Sequence, residues 1–131
     1  MQDIPVGAKG EFSLLVTAEH LANRFKDVTL PPVFATPMMV MLMENAALNA
    51  IKPYLDASES CVGTRVDVSH LAATPAGLTV TAVAELTAVS GRKLTFRIEA
   101  SDGIDTIGIA THERAIVDRA RMAEKLRRKS G

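Results

Sequence analysis

One long apolar segment, Thr36–Tyr54 (TPMMVMLMENAALNAIKPY), constrains the fold of this chain more than any other feature. Thr36 and Pro37 favour a helix start, because a threonine hydroxyl can cap the first turn and a proline there loses no intrahelical hydrogen bond. Pro53 marks the end of the helix. Glu44 is the one acidic residue in the segment. A helix that is apolar on most of its surface is buried in the protein, so the sequence predicts a central helix largely wrapped by the rest of the chain.

Glu44 lies outside the polar stripe of this helix. The stripe consists of Asn45, Asn49 and Lys52, spaced i, i+4 and i+7. At about 100° per residue, Glu44 is roughly 100° away from it. A carboxylate buried without a partner costs several kcal/mol, so Glu44 is expected to shift its pKa, to pair with another group or to reach a cleft.

Strands are predicted on both sides of the helix. Glu11–Thr17 is a short β-favouring run, followed by a helical turn at Ala18–Arg24. From Cys61 the apolar period changes to two, which predicts four strands joined by tight turns that favour antiparallel pairing, and then a short basic helix (strands within 61–72, 78–89, 93–100 and 104–117; helix 118–129).

Three details of these strands bear on the site. In the strand within 61–72, His70 is predicted to face the core, together with Val62, Thr64, Val66 and Val68. Asp102-Gly103 is a strong hairpin signal. Gly108 indicates a bulge or a close approach of another segment.

These elements predict an α+β fold in a single domain spanning residues 1–131, with one sheet on one helix. The 15 basic and 15 acidic side chains cancel, which argues against a chain-wide basic surface for nucleic acid. One cysteine and the lack of a signal-peptide pattern predict a cytoplasmic protein. The longest nearly uncharged run, Leu30–Met43, is too short to span a bilayer, so no membrane partner is expected.

Few side chains are candidates for chemistry. The three histidines are far apart and the single Cys61 has no ligand spacing, so no metal site is expected, and Cys61 is interpreted as a small core residue. Glu44 and His70 remain, as a base or nucleophile beside a group that carries protons near neutral pH. Two alternatives stay open: a structural hydrogen bond between them, or two unrelated residues satisfied by main chain.

Thr36 is interpreted as a helix cap, although a helix start also supplies free amides and a positive dipole for an oxyanion. Eight residues of helix place Thr36 about 12 Å from Glu44 along the axis. A joint site therefore requires a substrate that spans them or a second subunit. Arg114 and the basic tail are either phosphate-binding groups or solvated charges.

The segments VFATPMMVMLMENAA, PYL, VGT, HLAATPAGLTVTAVAEL and DGIDTIGIATHERAIV closely resemble the fluoroacetyl-CoA thioesterase family, from about Pro31 to Val117. The resemblance implies the hotdog fold, a long central helix wrapped by a curved antiparallel sheet, and a homodimer with active sites at its interface. The family's catalytic Thr, Glu and His fall on Thr36, Glu44 and His70.

The resemblance also implies substrate-binding residues. The family's site glycine and the arginine of its THER motif fall on Gly63 and Arg114. Leu30 replaces a lid aromatic, so fluoroacetyl selectivity is not expected to carry over, and Pro37 replaces a glycine, so oxyanion donors are sought at Met38 or Gly63. The predicted substrate-binding set is Gly63, Arg114, Leu30, Phe34 and Met38.

The predicted function is hydrolysis of a small acyl-CoA thioester to free acid and coenzyme A, with no cofactor other than the coenzyme A of the substrate. Glu44 would act as general base or transient nucleophile, and His70 would carry the proton to the leaving thiolate. Pro37 motivates one alternative, a non-catalytic acyl-CoA-binding hotdog dimer. A hotdog hydratase is a third, but no Asp and His pair in the expected arrangement supports it.

Overall fold

The computed structural model describes residues 2–131, which form five strands and three α-helices. The Thr36–Tyr54 helix is confirmed, with its last three residues wound as a 3₁₀ turn, and a second 3₁₀ turn covers Ala18–His20. The elements, in chain order, are β1 (Lys9–Leu15), α1 (Ala22–Phe25), α2 (Thr36–Ile51), β2 (Glu59–His70), β3 (Thr79–Ser90), β4 (Lys93–Ser101), β5 (Thr106–Asp118) and α3 (Arg119–Ser130).

The strands form one antiparallel sheet in the order β1-β3-β4-β5-β2. The hairpin at Asp102-Gly103 is confirmed, since the Asp102 carboxylate accepts the N–H groups of Ile104 and Asp105 and Gly103 has φ +88°. The expected pairing of β2 with β3 is wrong. The segment that connects them, residues 71–78, instead crosses the end of the sheet. Thr74 holds it there, since its hydroxyl donates to the Asp102 carboxylate and its carbonyl accepts the N–H of Phe34.

The sheet covers one face of α2, which buries seven side chains (Met39, Leu42, Met43, Ala46, Ala47, Ala50 and Ile51). Two glycines allow this close packing. A Cβ at Gly10 would lie 2.2 Å from the main-chain nitrogen of Ala50, and one at Gly108 would lie 2.6 Å from Met39 Sδ. The predicted close approach at Gly108 is therefore confirmed. The missing side chain at Gly10 lets α2 pack closely against β1, and the one at Gly108 leaves room for Met39 of α2 against β5.

A β-bulge divides β2 into two halves. The register with β5 shifts between Gly63 and Arg65. Residues directly opposite each other in an antiparallel pair share a face, and the inner residues of β5 are opposite the set Cys61, Gly63, Val66, Val68 and His70. The inward direction predicted for His70 is confirmed, whereas Val62 and Thr64 were assigned to the wrong face, because an extra residue at a bulge reverses the alternation.

β2 is an edge strand of this sheet, and most of its side chains are exposed. Val62 and Val66 are each 37% exposed. Between residues 2 and 131, no helix has the length and apolar character needed to cross a membrane.

Candidate active site

The first cluster of polar side chains lies where α2 begins. Thr36 Oγ1 is 2.7 Å from His70 Nδ1 at the end of β2. The cap predicted at Thr36 is wrong, because Ala35 is the N-cap residue and no side chain caps this helix. The threonine hydroxyl is therefore used to hold the histidine ring.

One ring nitrogen of His70 makes no hydrogen bond within the described residues. This nitrogen, Nε2, is buried and has no hydrogen-bond partner among residues 2–131. Burial lowers the pKa of His70, and the adjacent main chain of Ala72 partly opposes that shift. A buried polar atom without a partner costs about 1–3 kcal/mol, so Nε2 is the unsatisfied atom of this cluster.

A surface pocket of about 390 Å³ lies beside this cluster. Thr36 and His70 line it together with two residues of the predicted substrate-binding set, Leu30 and Phe34. Phe34 is fully buried and forms part of the pocket wall. Met38 is half-buried, and its main-chain N–H donates to Ala35 O at 3.0 Å, so this amide is already engaged.

The second cluster surrounds Glu44, near the middle of α2. Glu44 Oε2 is 3.5 Å from Arg114 Nη1, and the glutamate side chain is 40% exposed. Gly63 lies against the same carboxylate, since a Cβ at this position would be 2.7 Å from Glu44 Oε2. The structure thus brings together the predicted residues Glu44, Gly63 and Arg114.

Arg114 is held by several acceptors inside the chain. Its Nε contacts Cys61 Sγ at 3.1 Å and its Nη2 contacts Cys61 O at 3.4 Å, while Nη1 contacts His112 Nε2 at 3.2 Å. Arg114 is 8% exposed, so the alternative of a solvated charge is wrong. Binding of coenzyme A phosphates by Arg114 stays a prediction. Cys61 is buried, as expected of a small core residue.

His112 is the member of this cluster that the sequence patterns did not reveal. It is 1% exposed, its Nδ1 is 2.7 Å from Arg65 O, and its ring lies 6.0 Å from that of Phe96. The available signal was its position two residues before Arg114, on the same face of β5. In the described part of the chain, no three His, Cys, Asp or Glu side chains are grouped to hold a metal ion.

The two clusters are separate within one chain. Eight residues of α2 place Thr36 and Glu44 about 12 Å apart along the helix, and the seven steps from Gly63 to His70 cover roughly 20 Å of β2. Among residues 2–131, no hydrogen bond or ion pair joins Glu44 to Thr36 or His70. A structural Glu44–His70 hydrogen bond within one chain is therefore wrong, and the predicted separation of Thr36 and Glu44 is confirmed.

A single antiparallel sheet curled around one long helix is the hotdog fold, and the structural relatives assign the chain to the hotdog thioesterases. A Thermus thermophilus hypothetical protein of the thioesterase superfamily superposes with a TM-score of 0.92 at 33% identity, over 99% of this chain and 96% of the relative. The structure of the fluoroacetyl-CoA thioesterase FlK superposes with a TM-score of 0.91 at 41% identity, over 97% of this chain and 98% of that one.

The family can be stated more narrowly. Residues 16–120 match the family of FlK, the fluoroacetyl-CoA-specific thioesterase. The fluoroacetyl-CoA thioesterase of Streptantibioticus cattleyicolor is 51% identical over 115 residues, which are 87% of this chain and 83% of the relative. The chain therefore belongs to the FlK family, which confirms the resemblance, the hotdog fold and the class of acyl-CoA thioesterase predicted from the sequence.

Proposed function

We propose that the protein hydrolyses a small acyl-CoA thioester to free acid and coenzyme A, in a homodimer whose two sites each combine groups from both subunits. One subunit would contribute Thr36 and His70, and its partner would contribute Glu44 and Arg114. The buried and unpaired Nε2 of His70 carries this proposal, because the carboxylate that would complete the chemistry lies in a different part of the same chain.

The edge strand β2 supports the dimer. An exposed edge with apolar side chains such as Val62 and Val66 offers main-chain groups for pairing with another strand. Antiparallel pairing of two β2 strands about a two-fold axis near Val66 and Asp67 would place His70 of one subunit opposite Gly63 of its partner. Gly63 lies against Glu44, so the same pairing would bring the two clusters together.

The chemistry follows from the groups in each cluster. Glu44 takes a proton from water, which attacks the thioester carbonyl carbon, or its carboxylate attacks that carbon itself. The C–S bond then breaks and the electron pair leaves with sulfur. Because burial lowers the pKa of His70, its imidazolium is a stronger acid and readily gives its proton to the departing thiolate. In the first route the proton held by Glu44 returns to His70 or to solvent. In the second route water hydrolyses the acyl–Glu44 anhydride, which releases the acid, restores the carboxylate and gives the remaining proton to His70 or to solvent.

The helix start of α2 supplies the oxyanion donor in this proposal. Pro37 has no N–H, and the amide of Met38 already donates to Ala35. The main-chain N–H of Thr36 donates to no acceptor in the part of the chain that the structure describes. Thr36 N–H, at the positive end of the helix dipole, therefore replaces Met38 as the proposed donor to the thioester oxygen.

The substrate is proposed to be an acyl-CoA with a small acyl group, held by the pocket that Leu30 and Phe34 line. The basic helix α3 would provide charge for the phosphates of coenzyme A. With one cysteine, which is buried, the protein is proposed to reside in the cytoplasm.

Two experiments test the function. The first measures thiol release from acetyl-, fluoroacetyl-, aromatic and medium-chain CoA esters by wild type, Glu44→Gln and the control Glu99→Gln, an exposed acid on β4. We expect turnover of at least one short ester, a loss on the order of 10²–10⁴ in Glu44→Gln and no loss in the control. Equal turnover by all three proteins would overturn the role of Glu44.

The second experiment mixes subunits that carry Glu44→Ala with subunits that carry His70→Ala after both are unfolded and refolded together. If each site combines both subunits, half of the dimers regain one intact site, and about a quarter of wild-type activity returns. If both groups act within one subunit, no activity returns. Sedimentation of the wild-type protein checks that it is a dimer.

A non-catalytic acyl-CoA-binding dimer is a second candidate, favoured by the amide that Pro37 removes from the first turn of α2. It predicts saturable binding of acyl-CoA, measured by calorimetry, with no thiol release from any ester of the series.

A further inference from the structure

We propose that His112 is a positioning residue: as a neutral ring bonded to both Arg65 O and Arg114 Nη1, it fixes the Arg114 guanidinium against Glu44. The inference rests on the proposed function of Glu44 and adds a residue to that site. His112 itself lies behind Arg114 and is not placed to touch the substrate.

The hydrogen bonds of His112 fix its tautomer. A guanidinium has donors only, so in the 3.2 Å contact Arg114 Nη1 donates and His112 Nε2 accepts. Nδ1 therefore carries the hydrogen and donates it to the carbonyl oxygen of Arg65, 2.7 Å away. A neutral ring satisfies both contacts, whereas a protonated ring would set a second donor against Arg114.

The surroundings of the ring favour that neutral form. Burial lowers the pKa of His112, and the charge of Arg114 lowers it further, against the opposing effects of the Arg65 carbonyl, Glu44 and Glu113. Phe96 on β4 packs beside the ring. At neutral pH the ring therefore remains an acceptor for Arg114.

The β-bulge in β2 makes this contact possible. The register shift between Gly63 and Arg65 changes the alternation of the strand. The Arg65 carbonyl then accepts a hydrogen bond from the His112 side chain of β5. The neighbouring Thr64 hydroxyl fastens the bulge by donating to Glu113 O at 3.1 Å. Gly63 leaves the space that the Glu44 carboxylate occupies.

His112 adds a third anchor to the rigid, planar guanidinium of Arg114, at the nitrogen that faces Glu44. Cys61 receives Nε and Nη2, which fixes the far side of the guanidinium. Nη1 is the atom that contacts both His112 Nε2 at 3.2 Å and Glu44 Oε2 at 3.5 Å. The acceptor on His112 therefore adds to the contacts that hold the charge facing Glu44 in place.

The test compares two substitutions of His112. His112→Gln keeps an acceptor for Arg114 and a donor for Arg65 O, whereas His112→Phe keeps a ring beside Phe96 and removes both hydrogen bonds. We expect kcat of His112→Phe to fall on the order of 10- to 100-fold with KM changed by roughly twofold or less, because misplacing a catalytic group costs up to about that factor. We expect His112→Gln to recover most of that loss.

A double-mutant cycle separates positioning from a merely structural role. In a Glu44→Gln background, His112→Phe should cause no further loss of kcat, because the group that it positions is already disabled. An additive loss, or equal kcat in wild type and His112→Phe, overturns the inference. If Glu44→Gln alone retains wild-type turnover, the proposed function fails instead, so the two failures are distinguishable.

A spectroscopic measurement on the wild-type protein tests the inference even if the variants fold poorly. Two-bond ¹H–¹⁵N correlation spectra of the His112 ring at neutral pH should show the hydrogen on Nδ1 and a bare Nε2. A ring protonated at Nε2, alone or in addition to Nδ1, contradicts the proposed contact with Arg114.

Discussion

The two clusters at the ends of the candidate site differ in how far one chain satisfies their polar groups. Around Glu44, the guanidinium of Arg114 contacts Cys61, His112 and the carboxylate itself. Around His70, one hydroxyl holds Nδ1 while the buried Nε2 has no partner among residues 2–131. Among the described residues, all three guanidinium nitrogens of Arg114 have partners, whereas one buried ring nitrogen of His70 has none.

This difference predicts which substitutions should cost stability in addition to activity. Groups that already have their partners contribute to stability, and their removal leaves buried atoms unpaired. Removal of a buried nitrogen that lacks a partner breaks no hydrogen bond of its own, so we expect a smaller effect on stability.

His70→Ala should give the largest effect on activity and a small one on stability. We expect kcat/KM for the best acyl-CoA ester to fall on the order of 10²–10⁴, because the proton donor to the leaving thiolate is lost. The melting temperature should change little, since the side chain is half-buried and one of its nitrogens is unpaired. Ser69→Ala, an exposed neighbour on β2, is the control. Undiminished turnover in His70→Ala would contradict the proposal.

Arg114→Met should affect both stability and activity. Methionine fills much of the space but leaves Cys61 O and His112 Nε2 without a donor, which should lower the free energy of unfolding by about 1–3 kcal/mol. Urea denaturation measures this change. Arg119→Met on α3, an exposed arginine, is the matched control and should stay near the wild-type value. Equal stability of both variants would show that the contacts of Arg114 contribute nothing.

Gly63→Ala should reduce activity while preserving the fold. The new Cβ would lie 2.7 Å from Glu44 Oε2, the end of a flexible side chain that can move away. Displacement of the carboxylate by about 1 Å can cost up to about 100-fold in rate. Thiol release and circular dichroism measure the two properties. Gly77→Ala is unsuitable as a control because φ at Gly77 is +101°; Ala76→Gly in the same exposed link serves instead.

Acidification should produce the smallest change. Burial lowers the pKa of both His70 and His112, so below the ordinary value of about 6.5 the unfolded chain binds more protons than the folded one. Their contribution to stability is complete above that pH and is lost as the pH falls through the lowered values. We expect the melting temperature to fall on acidification, and to fall less steeply in His112→Phe. A melting temperature that rises on acidification would reverse the sign.

Much of the site was accessible from the sequence because it depends on local spacing. The apolar helix with Glu44, the separation of Thr36 from Glu44 and the inward direction of His70 follow from helical and extended geometry alone. The contact of Arg114 with Cys61 and that of His112 with Arg65 O were not accessible, since they join β5 to β2 across many residues.

The sequence by itself determined the elements: one central helix with a single acid, strands of period two, the Asp102-Gly103 hairpin and a close approach at Gly108. Only the tertiary structure decided that β2 leaves its sequence neighbour β3 to become an edge strand, and that the bulge after Gly63 reverses the faces of Val62 and Thr64. The physical reason is that periodicity reports local conformation, whereas strand order and register depend on pairing between distant segments.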